Sequence, residues 1–168
     1  MRNLLVAVDL SEMSGAVVER AACIAQSFVG KLWLIHVAPA SKSSVPFNLD
    51  RDILRTQVAK QLRLQRRQLR DLANQLRRQR IHVVTRFLSG TVSTTILAEA
   101  DRITAELIIM GSHGHGNVYH ALFGGVGQKV MRKATCPVML VPPQLTKPHW
   151  HWMRRELEEN QGIARRRG

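Results

Sequence analysis

At 168 residues, with 45% hydrophobic content, the chain has the size of one domain with a full core. No apolar run approaches the roughly 20 residues of a membrane-spanning helix, which excludes that class. Two cysteines, neither with a metal-ligand partner at close spacing, fit a reduced cytosolic protein, and a formal net charge of +13 favours anionic partners.

Taken in chain order, Asn3 to Val8 is a short apolar run that stops at Asp9. Arg2 precedes it, but the run is too short for a secretory leader and reads as a first core strand. Ser11 is placed to cap a helix from about Glu12 to Phe28, with Ala16, Val17, Ala21, Ala22, Ile24 and Ala25 as its inner face. Cys23 falls on that apolar helix and Cys136 at a strand entrance; both read as inert packing thiols. Gly30 stops the helix, and Leu32 to Val37 forms a second strand. Ala38 to Phe47, rich in Ser and Pro, reads as a loop.

Asn48 or Asp50 then opens a long helix to about Gln79. Its apolar stripe is Leu54, Val58, Leu62, Leu69, Leu72 and Leu76. Ile81 to Phe87 alternates into a third strand, and Gly90 precedes a helix from about Val92 to Ile103. Glu106 to Met110 is the fourth strand, Gly125 to Ala134 the fourth helix and Val138 to Val141 the fifth strand. Pro142 and Pro143 close the domain, predicted over residues 1–143. Residues 144–168 form a basic extension, with a short amphipathic helix over Trp150 to Asn160 and disorder beyond.

Short, apolar, β-branched strands alternating with helices predict a doubly wound α/β fold, with a five-stranded, mostly parallel sheet covered on both faces. Ligands of such sheets bind beyond the carboxyl ends of the strands, where strand order reverses. Asp9, Val37 and the segment Gly111 to Gly114 all fall at strand carboxyl ends. Glycines where a strand hands over to a helix admit a ligand close to the backbone, and the next helix turns its unpaired N–H groups toward it. That combination holds phosphate.

Three segments carry a family resemblance: Leu4 to Ser11; Met110-Gly111-Ser112-His113-Gly114 with Gly124-Gly125; and Thr135 to Val141. Over about Arg2 to Pro142 the chain resembles the universal stress protein family. Gly111, Gly114 and Gly124 match the spacing of its nucleotide-binding branch, which is Gly, two residues, Gly, nine residues, Gly, then Ser or Thr. The resemblance implies a three-layer sandwich of the adenine nucleotide alpha-hydrolase-like type. It implies binding of ATP or a related adenine nucleotide, with Mg as a possible companion, by a sensor or regulator of stress responses. It also implies a homodimer, through Val138 to Val141.

By the same resemblance, Ala7 and Val8 border the adenine with Val37 nearby, and Asp9 contacts the ribose or phosphates, directly or through a divalent ion. The alternative for Asp9 is a cap on the turn into the first helix. Met110, Gly111, His113 and Gly114 supply the loop, and Gly124, Gly125, Val126 and Gly127 the phosphate end. Gly125 departs from the pattern: the family's hydroxyl is missing, leaving the backbone N–H groups of residues 125–127.

Efficient catalysis is not implied. Residues 111–133 contain no Asp or Glu, and the chain has no Walker pattern and no Gly-x-Ser-x-Gly elbow. At most a slow ATPase is expected, with no catalytic residues and no metal site. His113, His115, His120, His149 and His151 read as solvated, and His113 and His115 can lend positive charge to a phosphate.

The positive charge concentrates between Arg51 and Arg80, in Arg51, Arg55, Lys60, Arg63, Arg66, Arg67, Arg70, Arg77, Arg78 and Arg80, opposed by Asp52 and Asp71. By default this is a solvated outer face. Without interleaved aromatics it is no single-strand stacking platform. A nucleotide-independent dimeric interaction protein, a basic nucleic-acid-associated protein, and docking on an acidic protein or a membrane surface remain the other readings of the chain.

Overall fold

The computed structural model describes residues 3–28, 30–39, 51–112 and 125–142. Among these residues nine elements follow in strict alternation: β1 (Asn3–Ala7), α1 (Ser14–Phe28), β2 (Lys31–Pro39), α2 (Arg51–Arg78), β3 (His82–Gly90), α3 (Val92–Arg102), β4 (Leu107–Gly111), α4 (Gly125–Lys133) and β5 (Val138–Val141). The strands form one five-stranded sheet in the order β3-β2-β1-β4-β5, every pair parallel. The predicted α/β fold is the observed one.

Period-two alternation sends strand side chains to two cores. Leu4, Val6, Leu32, Leu34 and Ile109 pack under α1 and α2 on one face; Leu5, Ile35, Ile108 and Met110 pack under α3 and α4 on the other. Leu4, Leu5, Leu34, Ile35, Ile108 and Ile109 are fully buried. Each such side chain contributes roughly 1.5–3 kcal/mol. Both layers are needed, because β1, at the centre, is apolar on both sides.

Helix α1 begins at Ser14, two residues later than expected, because Leu10 turns left-handed at φ +64° and residues 10–13 form a turn. Its buried stripe is Ser14, Val17, Val18, Ala21, Ala22 and Ala25, spaced three and four apart. Cys23 is off that stripe and exposed, which corrects its reading as a packing thiol. Cys136 is half-buried against the α3/α4 core, and burial, with Asp101 nearby, raises its pKa.

Helix α2 departs most from expectation. Leu69, Ala73 and Leu76 are buried and Leu72 partly so, but no residue from 55 to 68 is buried, and Val58 and Leu64 are about half exposed. The stripe through Val58 and Leu62 is therefore not core; the side chain of Leu54 lies outside the described residues. The helix runs antiparallel to the strands, since Arg66 lies over the Phe87 ring at 4.7 Å and Arg77 donates to the Val83 carbonyl at 3.3 Å. It ends at Arg78, and Arg80 beyond it is left-handed at φ +62°, with the Ile81 N–H returned to the Leu76 carbonyl.

Strand β3 continues three residues past Phe87, because β2 and β3 stay paired through Pro39 and Gly90. Gly90 has φ +148°, and a Cβ there would lie 2.7 Å from Thr95 Oγ1. Only glycine closes this turn into α3. β5 and β3 are the two edge strands.

Candidate functional site

In the order 3-2-1-4-5 the chain winds one way from β1 and the other way from β4, so strand order reverses between them. Their carboxyl ends are in register at Ala7 and Met110. Immediately beyond lie Val8 and Asp9 on one side, Gly111 and Ser112 on the other. This is the crevice of an open α/β sheet.

The structure brings together several expected residues. Ala7, Val37 and Met110 are buried in one cluster, with Val126 of α4 packed against it. Gly125 to Gly127 form the first turn of α4, which carries no acidic residue there and Arg132 and Lys133 in its last turn. Its N-terminus is thus positive by backbone dipole, without a carboxylate to oppose an anion. Among the described residues, no heavy atom lies within 4 Å of where a Cβ on Gly125 would sit. His113, Gly114 and Gly124 lie outside the described residues.

Asp9 is half-buried and organises the β1–α1 corner. Its Oδ1 accepts from the Ser11 N–H at 3.0 Å, the Ser11 hydroxyl at 2.6 Å and the Ser14 hydroxyl at 3.2 Å. The Ser11 hydroxyl accepts in turn from the Met13 N–H at 3.3 Å. The capping role is therefore present. It holds the carboxylate at the mouth of the crevice, so capping and ligand contact are compatible. Left-handed Leu10 stores about 1–2 kcal/mol of strain beside it, and strain of this kind gathers at ligand sites.

Sequence reasoning gave His36 no role beyond a place in β2. It is buried, its Nδ1 lies 2.8 Å from the Val8 carbonyl, and its ring tilts against Phe87 with centroids 5.3 Å apart. The Val8 N–H is bound to the Ile35 carbonyl at 3.0 Å. Both backbone groups of Val8 therefore have protein partners, which leaves chiefly its surface to border a base. The signal was a lone polar residue inside Leu32 to Val37, where a buried imidazole must find a partner.

A separate network on the α3 face holds the scaffold. Glu99, buried, is gripped by Arg102 through both oxygens and by Arg86 at 3.2 Å. The Arg102 hydrogen bond is the main cause of a lowered Glu99 pKa, against the opposing effect of burial. Lys31 and Arg102 both lie over the Trp33 ring, at 4.6 and 5.0 Å from its centroid, and Trp33 donates to Asn3 at 3.1 Å. Among the described residues there is no cluster of metal-ligating side chains, and no helix is long and apolar enough to cross a membrane.

Residues 1–142 match the sequence model of the universal stress protein family. The chain belongs to that family. This universal stress protein is 29% identical over 148 residues to universal stress protein A homolog 1 of Coxiella burnetii, covering 83% of this chain and 95% of the relative. Among solved structures it is similar to the hypothetical protein MJ0577, with TM-score 0.69, 22% identity, and coverage of 84% of this chain and 95% of that one. It is similar also to the universal stress protein of Archaeoglobus fulgidus in complex with dAMP, with TM-score 0.58, 22% identity, and coverage of 83% and 97%.

Proposed function

We propose that this universal stress protein binds ATP or a related adenine nucleotide and acts as a sensor or regulator in a stress response. One observation supports the reading: Asp9 follows β1 where strand order reverses, and Val126 in the first turn of α4 packs against the cluster of Ala7, Val37 and Met110 at that end of the strands. The adenine face is then Ala7, Val8 and Val37, with Met110 and Val126 beneath. Asp9 takes the ribose or a phosphate-bound divalent ion. Gly111, His113, Gly114 and Gly124 form the loop, and the N–H groups of Gly125, Val126 and Gly127 take the phosphates. The dAMP bound by the Archaeoglobus relative supports this ligand class. Bound Mg would neutralise phosphate charge; the chain offers Asp9 for it.

The rest of the reading follows the family. Residues 1–143 are the domain and 144–168 a basic extension. The edge strand Val138–Val141 pairs with its copy in a cytoplasmic homodimer, which closes an exposed ladder. Gly125, where the pattern has a hydroxyl, favours a second reading as a nucleotide-independent interaction protein.

Two measurements decide between them. Purified protein is denatured and its released small molecules identified, and the protein is titrated with Mg-ATP. Carried-over adenine nucleotide or saturable binding supports the first reading; neither, up to millimolar ATP, overturns it. Among the described residues nothing crowds a Cβ at Gly125, and Gly125→Ser supplies the hydroxyl of the family pattern, one hydrogen bond to a charged group. It is expected to tighten ATP binding by about one to two decades.

A further inference from the structure

We infer that His36 is a positioning residue for the Val8–Asp9 corner, an inference that rests on the nucleotide reading above. The Val8 carbonyl only accepts, so the imidazole nitrogen 2.8 Å from it must donate, and the neutral ring is the Nδ1–H tautomer. Its other nitrogen, Nε2, is then a bare acceptor. That atom is buried and, among the described residues, has no hydrogen-bond partner. A leucine in this place would fill space under the helices and against Phe87 without stranding a polar atom. An imidazole there makes sense for the bond it gives Val8.

The bond matters because of what it orients. The Val8 carbonyl belongs to the planar peptide unit that also contains the nitrogen and Cα of Asp9. The Val8 N–H, in the preceding peptide unit, is on Ile35 and the Val8 carbonyl, in this one, is on His36, so the peptide units on both sides of the Val8 Cα are held just before Leu10 turns left-handed. The direction in which Asp9 leaves the sheet is set there. His36 is in turn seated on Phe87, whose ring lies under Arg66. His36 thus aims the Asp9 carboxylate without touching the ligand.

The test compares the full chain with His36→Asn, which keeps an N–H near the Nδ1 position, and with His36→Gln and His36→Leu, which do not. Each is titrated with Mg-ATP and melted, and its ring and amide nitrogens are recorded by NMR without nucleotide. Expected are an Nδ1–H tautomer in the parent and ATP affinity within about threefold of the parent for His36→Asn. His36→Gln and His36→Leu should lose about tenfold or more, even where they melt no lower than His36→Asn. An Nε2–H tautomer, or full affinity in His36→Leu, overturns the inference. So does equal loss in all three variants in proportion to their melting points. If His36→Leu does not fold, the tautomer and His36→Asn decide. If the parent itself takes no ATP, the nucleotide reading fails, and His36 is judged on the free protein. Displaced Asp9 and Ser11 amides in His36→Leu, restored in His36→Asn, uphold its hold on the corner, and unmoved amides overturn it.

Discussion

Arg102 grips Glu99 with two parallel hydrogen bonds, Nε to Oε2 at 2.9 Å and a terminal guanidinium nitrogen to Oε1 at 2.7 Å. The bidentate pair lies within α3 and reaches β3 through Arg86. Because Glu99 titrates below its ordinary value of 4.5 in the folded chain, its contribution is complete above that value and is lost as pH falls through the lower, folded pKa. Glu99→Gln should cost about 1–3 kcal/mol at neutral pH. It should also flatten the acid limb of a stability-versus-pH curve; an unchanged acid limb contradicts the assignment.

Asp9 joins two roles that one substitution separates. Asn caps as well as Asp, so Asp9→Asn is expected to keep stability within about 0.5 kcal/mol. Loss of the charge should still weaken Mg-ATP binding. Calorimetric titration beside thermal melting reads both; unchanged affinity would leave Asp9 as a cap alone.

Gly90→Ala is expected to destabilise by roughly 1–3 kcal/mol, because φ +148° and the contact with Thr95 Oγ1 both oppose a Cβ. Adding Thr95→Ala removes the contact but not the backbone strain. Denaturant unfolding should therefore show partial rescue, and full rescue would show that φ carries no cost.

The two halves of α2 should respond differently to substitution. Leu76→Ala, at a fully buried position, should cost about 2–5 kcal/mol. Leu64→Gln, half exposed, should stay within about 0.5 kcal/mol. Comparable losses at the two positions would mean that the first half of the helix is packed.

The cysteines should separate kinetically under a thiol reagent at neutral pH. Exposed Cys23 should react fast and half-buried Cys136 slowly, since burial and Asp101 keep the latter protonated. Cys23→Ser should remove the fast phase and leave the slow one.

The element order was readable because each strand is an apolar run cut off by a polar or glycine residue, as Asp9 ends β1 and Gly111 ends β4. The crevice was readable for the same reason, since strand ends carry it. Features that depend on which residues meet across the sheet were not. His36 acquires a function only when the Val8 carbonyl faces it, and β3 reaches Gly90 only because β2 offers a partner through Pro39. Cys23 was misplaced because α1 buries a narrower stripe than its apolar content suggests. Val58 and Leu62 keep helical spacing with Leu69 and Leu76, yet spacing gives a direction and not the presence of something to pack against.

That last point bears on how the molecule opens. Among the described residues, α2 has buried side chains only from Leu69 onward, and residues 55–68 are exposed or half-buried. Its amide hydrogens should exchange in a gradient, fastest near Arg55 and approaching the global unfolding limit at Leu76. Since Arg66 already stands at Phe87, the residues before it lie toward the carboxyl ends of the strands. The least buried turns of α2, and much of its positive charge, thus share the end of the sheet where Asp9 stands.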